Sequence, residues 1–176
     1  MKFEIREVVR HPRAKVYEAL RDQMTRLTRY LPGIDSIVEL EREQLGPGQH
    51  RVVTHWQANA RAAPRAVRPF LRPSMTQWRD VATWDDEASC VHWCFETSFL
   101  ESIYSCEGTN YIEDGPNGGT TLRLTGDLNV HLNKIPGLPK RFVRSLGPRV
   151  ERYLIDQVIP NLKEVPAAVQ TFLDQA

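Results

Sequence analysis

The sequence has no apolar run long enough to cross a membrane, and no apolar stretch near its start that suits a signal peptide. A membrane span needs roughly 20 apolar residues, whereas the opening MKFEIREVVR alternates charged and apolar side chains. The three cysteines are odd in number and lack the spacing of a disulfide framework. We therefore expect a cytoplasmic protein that is soluble or at most peripheral to a membrane.

Strong net charge is also absent. The 176 residues carry a formal net charge of +1, which gives no overall field to attract a nucleic acid. There is no P-loop, no dinucleotide-binding glycine pattern and no nucleophile elbow. The length fits one domain, residues 1–176, around one hydrophobic core. We expect neither a nucleic-acid partner nor a cofactor, and the oligomeric state is left open.

The chain does contain a series of strand patterns and two helical ones. Alternating apolar and polar residues predict a first strand at residues 2–9, and a helical stretch follows from Pro12 to Leu31. Six further strands are predicted at residues 34–45, 49–59, 75–84, 90–99, 103–113 and 120–133. Turn signals such as Asp114–Gly119 suit antiparallel hairpins. The fold class is therefore α+β.

The last predicted element is an amphipathic helix from Pro139 to Leu162. Its apolar residues recur every three or four positions and form one stripe that must be buried, namely Val143, Leu146, Val150, Leu154 and Val158. Gly147-Pro148 predicts a joint in this helix. The part before the joint is expected to form a mobile edge.

The order of these elements resembles the helix-grip fold of the START-like and polyketide-cyclase-like superfamily, also called SRPBCC. The resemblance is carried by FEIREVVRHPRAKVYEALRD at the start, by GTTLRLTGDLNV, and by PGLPKRFVRSLGPRVERYLIDQVIPNLK near the end. It implies a curved antiparallel sheet of about seven strands wrapped around a long C-terminal helix, with a cavity between them. Members include lipid carriers, quinone-binding proteins and aromatase/cyclases, so the fold leaves the chemistry open.

Alternation within the strands indicates which side chains face the helix. The predicted cavity wall takes Trp56, Trp78, Trp93, Phe95, Cys106, Gly108, Asn110, Leu124, Gly126 and Leu128 from the sheet. From the helix it takes Leu146, Val150, Tyr153 and Leu154. Large aromatic residues on strands also fill ordinary cores, so both a ligand wall and a packed core stay open.

Asp80 is the one candidate for acid–base chemistry. It shares the parity of Trp78 and Trp84, so a carboxylate points inward if these tryptophans do. A buried carboxylate without a partner is costly. The alternative is therefore that this strand faces the other way and that Asp80 is a surface charge.

Cys90, His92 and Cys94 alternate along one predicted strand and are chemically suited to zinc. Ligands two residues apart on a flat strand seldom converge on one tetrahedral centre, and no CxxC or HxxxH spacing supports them. We predict no metal site.

A basic segment follows the third predicted strand, where the superfamily pattern has a tight hairpin. Its arginines recur at spacings of four, three and four, while three prolines limit any helix to a turn or two. We interpret it as a lid over the cavity, carried by Arg65, Arg68, Phe70 and Leu71. It could touch an anionic membrane surface transiently, or its arginines could pair with acidic neighbours.

The sequence favours a protein that binds a hydrophobic small molecule, such as a lipid, an isoprenoid quinone or a polyketide-like compound, as carrier or sensor. One alternative is a cyclase, dehydratase or hydrolase that uses Asp80 as acid or base in the same cavity. Another is an interaction module whose cavity is filled by its own side chains.

Overall fold

The computed structural model describes residues 1–61, 76–96, 104–130 and 162–176. Their strands are β1 (Lys2–Val9), β2 (Ile34–Gly46), β3 (Gln49–Ala58), β4 (Gln77–Asp85), β5 (Cys90–Glu96), β6 (Tyr104–Asp114) and β7 (Thr120–Val130). Their helices are α1 (Arg13–Asp22), α2 (Met24–Leu27), which runs into a short 3₁₀ turn (Thr28–Tyr30), and α3, which includes residues 162–174.

The seven strands form one antiparallel sheet in the order β1-β7-β6-β5-β4-β3-β2. Each hairpin pairs neighbours in sequence, and β1 closes against β7, where Phe3 lies opposite Gly126. β2 forms the opposite edge and carries three register shifts along its length. The predicted curved seven-stranded antiparallel sheet with a C-terminal helix is confirmed.

The helical stretch between β1 and β2 covers one end of the inner face of the sheet. Val16 and Leu27 are fully buried there, in a cluster with Trp84 and Leu122 that we call the α1 cluster. The Tyr17 hydroxyl donates to the Asp86 carboxylate over 2.8 Å, and its ring meets that of Trp84 edge-on at 5.3 Å. These contacts fix α1 to the β4–β5 hairpin.

The C-terminal helix extends beyond the sequence prediction, which ended it at Leu162. Residues 162–174 are helical and include the buried Pro166. Val169 is fully buried in the α1 cluster, and Ala168 packs with Trp56 and Ile37. His11 Nε2 lies 2.8 Å from Asp174 Oδ1, which anchors the end of α3 to the β1–α1 connection.

Pro139 and most of the predicted helix that it begins lie outside the described residues, as does the proposed joint at Gly147-Pro148. Within the described segments, no helix is long and apolar enough to cross a membrane.

Candidate functional site on the inner face of the sheet

Four aromatic side chains form a row across the inner face of β3, β4 and β5. Trp56 and Trp78 lie opposite each other and stack, with ring centroids 5.6 Å apart. Phe95 lies 6.0 Å from Trp78 and 4.7 Å from Trp93. We call these four residues the aromatic row. Antiparallel pairing brings the rings together, since side chains opposite each other on one face are neighbours.

Two indoles of the aromatic row have a hydrogen-bond partner close by. Trp56 Nε1 donates to the Thr54 hydroxyl over 2.9 Å, and Trp93 Nε1 donates to Asn110 Oδ1 over 2.9 Å. Trp78 Nε1 is buried and has no partner among the described residues. Buried N–H groups without partners are uncommon in folded proteins.

Asp80 lies on the same face as the aromatic row, so the inward alternative is the one that the structure adopts. It sits opposite Thr54 on β3 and Phe95 on β5. Its Oδ1 atom is buried, with no hydrogen-bond partner in the described part of the chain. Burial raises the pKa of this carboxyl group from 3.8 to about 7. Near neutral pH, Asp80 can therefore give or take a proton.

Burial differs between the two ends of the inner face. Trp84 and Val91, next to α1, are almost completely buried. Trp78 and Phe95, further along β4 and β5, are only partly buried although they point to the same side. The aromatic row thus contains ring surface that the rest of the protein leaves uncovered.

Two glycines predicted for the cavity wall lie opposite each other, Gly108 on β6 and Gly126 on β7. A Cβ atom at Gly108 would collide with the Thr125 carbonyl oxygen and lie 2.7 Å from Trp93 Cζ2. A Cβ atom at Gly126 would collide with the Phe3 ring. The two rings therefore rest directly on backbone, which needs glycine at both positions.

Three further predicted wall residues are buried on the inner face. Cys106 and Leu128 pack with Trp93, and Leu124 packs with the α1 cluster. Burial raises the pKa of the Cys106 thiol to about 12, so it behaves as a small apolar group rather than as a nucleophile.

The remaining predicted site residues lie outside the described residues. They are the lid residues Arg65, Arg68, Phe70 and Leu71, and the helix residues Leu146, Val150, Tyr153 and Leu154.

Sequence reasoning missed the part that α3 plays next to the aromatic row. Val165 and Ala168 pack in the cluster that contains Trp56 and Trp78. The spacing of Leu162, Val165 and Val169 continues the apolar stripe by three and four residues, and this signal could have extended the helix.

On the outer face, Cys90, His92 and Cys94 do not come together as a ligand set. Cys90 Sγ lies 3.9 Å from His92 Nε2, while His92 Nδ1 pairs with the Thr109 hydroxyl at 2.8 Å. Across residues 1–61, 76–96, 104–130 and 162–176, no group of three or more His, Cys, Asp or Glu is arranged to hold a metal ion.

The outer face also has an open depression of about 900 Å³ above the paired glycines. Its walls carry both signs of charge, including Lys2, Glu4 and Glu107, besides hydroxyl groups such as Thr125. We favour the inner face as the functional site, because uncovered aromatic surface and unpartnered polar atoms occur there together.

Comparison with known proteins places the chain in a family. The profile of the family described as "Protein of unknown function (DUF2505)" matches residues 4–157. The chain belongs to this family. A search among curated proteins gives no match.

Solved structures with the same fold come from several sources. The Zhui aromatase/cyclase from Streptomyces sp. R1128 has a TM-score of 0.69 and 16% identity, over 99% of this chain and 94% of that chain. The protein TTHA0849 from Thermus thermophilus has a TM-score of 0.63 and 21% identity, over 97% of this chain and 98% of that chain. A START superfamily protein from Mycobacterium smegmatis has a TM-score of 0.57 and 14% identity, over 99% of this chain and 97% of that chain. Identities this low show the fold alone, and the START-like helix-grip fold of this DUF2505 member is confirmed.

Proposed function

We propose that the protein binds a hydrophobic, ring-bearing small molecule against the aromatic row, as a carrier or sensor. The observation that carries this proposal is the partial exposure of Trp78 and Phe95 on the inner face, beside neighbours that are almost completely buried. Apolar surface left uncovered inside a concave fold gains free energy when a ligand removes it from water, at about 25 cal/mol per Å².

The aromatic row also suits a planar ligand. Its rings are spaced 4.7–6.0 Å apart, within the range of aromatic contact. A ring lying on Trp78 and Phe95 would extend the row. Likeness in fold to an aromatase/cyclase and to a START superfamily protein supports a small-molecule ligand. Polyketide-like compounds and quinones fit this surface better than a simple acyl chain does.

Native mass spectrometry of the gently purified protein, followed by solvent extraction, tests this proposal. Addition of oleate, a short-chain quinone or 2-naphthol is a second arm, because a ligand that binds the folded state raises Tm. We expect a ring compound to co-purify or to raise Tm. Trp78→Leu should weaken that effect, whereas Tyr111→Leu, on the outer face, should not.

A protein that carries no ligand and gains no thermal stability from any of the three compounds would contradict binding. That result would favour an interaction module whose inner face is filled by its own side chains. Liposome co-sedimentation of an Arg65→Ala/Arg68→Ala variant tests the predicted membrane contact of the lid separately.

A second candidate function is an acid–base reaction in the same place, with Asp80 as the catalytic group. It is favoured by the burial of Asp80 Oδ1 and by the pKa of the Asp80 carboxyl group, which at about 7 suits proton transfer near neutral pH. No cofactor enters this proposal. The parent protein should convert a compound that is extracted from the Asp80→Asn variant, which should bind it without conversion. Recovery of that compound unchanged after incubation with the parent protein would refute catalysis and leave binding intact.

A further inference from the structure

Two residues on the inner face of β4 each have a buried polar atom without a partner in the described part of the chain, one a donor and the other an acceptor. Trp78 Nε1 is a buried donor and Asp80 Oδ1 is a buried acceptor, and neither has a partner among the described residues. Residues two apart on a strand point to the same face, with their Cβ atoms roughly 7 Å apart. The two unpartnered atoms therefore belong to the same patch of the inner face.

The protein satisfies comparable groups nearby. The indole N–H groups of Trp56 and Trp93 both have partners at 2.9 Å. Trp78 thus differs from the other two tryptophans of the aromatic row, because its buried N–H has no partner among the described residues. Leaving a buried donor unpaired lowers stability, so this arrangement favours a site that a ligand completes.

The nearest basic side chain on β4 does not neutralise Asp80. Arg79 points to the opposite face, where its Nη2 atom lies 3.3 Å from Glu41 and its Nη1 atom 3.4 Å from Glu96. Arg79 Nε is itself buried without a partner among the described residues, on that outer side. The inner-face carboxyl group therefore has no ion-pair partner among the described residues of its own strand.

We infer that Trp78 and Asp80 form a polar anchor for the hydroxyl group of a planar aromatic ligand. This inference rests on the proposed function. The hydroxyl oxygen accepts a hydrogen bond from Trp78 Nε1, and the hydroxyl hydrogen is donated to Asp80 Oδ1. The ring system lies against Trp78 and Phe95, the partly uncovered members of the aromatic row.

While Asp80 is ionised, other ligand groups satisfy only one of the two atoms. An ammonium group pairs with the Asp80 carboxylate but cannot accept from Trp78. A quinone carbonyl accepts from Trp78 but donates nothing to the carboxylate, and it meets both side chains only when Asp80 is protonated and donates in turn. A hydrocarbon leaves both atoms unpaired. A hydroxyl group is both donor and acceptor, which is what the pair requires.

The test compares 2-naphthol with 2-methylnaphthalene, which share the ring system and differ in the group that would meet the anchor. Equilibrium dialysis of each compound with the purified protein gives the two dissociation constants. A site without an anchor should prefer the methyl compound, because burying an unpaired hydroxyl group is costly. We expect the parent protein to bind 2-naphthol about tenfold more tightly.

Variants assign that preference to the two residues. Trp78→Phe keeps a ring and removes the N–H, and Asp80→Leu removes the acceptor, so each should reduce the preference to about threefold or less. Asp80→Asn keeps an acceptor oxygen and should retain part of it, which covers the case in which the leucine variant does not fold. Thr83→Val, on the outer face of β4, is the matched control and should keep the full preference.

The outcomes separate this inference from the proposed function. Binding of both compounds without a preference for 2-naphthol overturns the anchor and leaves ring binding intact, as does a preference that survives both Trp78→Phe and Asp80→Leu. Tighter binding of 2-naphthylmethylamine than of 2-naphthol also overturns the hydroxyl anchor. Failure of all three compounds to bind contradicts the inference and the proposed function together.

Discussion

Replacing Asp80 by asparagine should make the protein progressively more stable than the parent as pH rises. In the folded state burial raises the pKa of Asp80 from 3.8 to about 7. Well below pH 3.8 the carboxyl group is protonated in both the folded and the unfolded state, and its burial carries no ionisation cost. As pH rises from about 4 to 7, the unfolded chain loses this proton first, so the folded state is destabilised relative to it.

The size of this effect follows from the pKa difference. About three pKa units at ~1.4 kcal/mol each give an upper bound of ~4 kcal/mol above pH 7. The Asp80 residue as a whole is partly exposed, so solvent screening reduces the expected value to about 2 kcal/mol. Asparagine does not titrate and avoids this cost, although its buried amide carries a penalty of its own that is independent of pH.

Urea unfolding of parent and Asp80→Asn at pH 4.5, 6 and 8 measures the effect. The parent and the variant share every other titrating group, so the difference between their unfolding free energies isolates Asp80. That difference should shift by about 2 kcal/mol in favour of the variant between pH 4.5 and pH 8. Glu87→Gln, in the exposed β4–β5 turn, is the control for removing one carboxylate. A difference between parent and Asp80→Asn that stays constant across this range would refute the burial of an unpaired carboxyl group.

Three further predictions concern the strands and the turn that surround the site. Gly108→Ala should lower the unfolding free energy by about 3 kcal/mol in a denaturation experiment, because the added Cβ atom would collide with backbone. Gly46→Ala is the control and should be nearly neutral, since no atom of the described residues lies within 4 Å of the added Cβ atom. Equal effects of the two substitutions would contradict the packing at β6 and β7. Ser89→Gly should raise the unfolding free energy by up to about 1 kcal/mol, because Ser89 has a φ of 48°, in the left-handed region that favours glycine. A loss of stability would show that the serine side chain matters more than this conformation. Cys106 should resist a thiol reagent at pH 8 until urea unfolds the chain, because it is buried with a pKa of about 12. Rapid labelling of Cys106 in the native protein would contradict its burial.

The strands were predictable because one face of the sheet is buried. Alternation along β7 assigns Leu122, Leu124 and Leu128 to the inside, and all three are buried. Hairpin turns such as Asp114–Gly119 then set the pairing of neighbouring strands. A slip of one residue would turn every apolar side chain to the outside, so the pattern specifies the register strongly.

The direction in which Asp80 points was harder to predict from the sequence. Its parity links it to Trp78 and Trp84, while the cost of burying a carboxylate argues for the opposite orientation. In the structure the tryptophans prevail, since each large ring gains more from burial than a carboxyl group loses when it can take up a proton. The missing hydrogen-bond partners of Trp78 and Asp80 could not be predicted, because they depend on what other strands place nearby.

The C-terminal helix shows a second limit of sequence reasoning. Pro166 argues against a helix through this region, because proline removes a backbone donor. Residues 162–174 are nevertheless helical, since Ala168 and Val169 are buried against the sheet and α1. Tertiary packing supplies more helix stability than local propensity does. The pairing of Gly108 with Gly126 likewise became visible only from the register of β6 and β7.

The most direct test of a ring-binding inner face is the NMR spectrum of ¹⁵N-labelled protein titrated with 2-naphthol. The four tryptophans give four indole N–H signals, which single Trp→Phe variants assign. We predict that the Trp78 signal shifts most and saturates with the ligand, while the signal of the buried Trp84 stays in place. A titration that leaves Trp78 unmoved, or that shifts Trp84 and outer-face amides instead, would contradict a ligand site on the aromatic row.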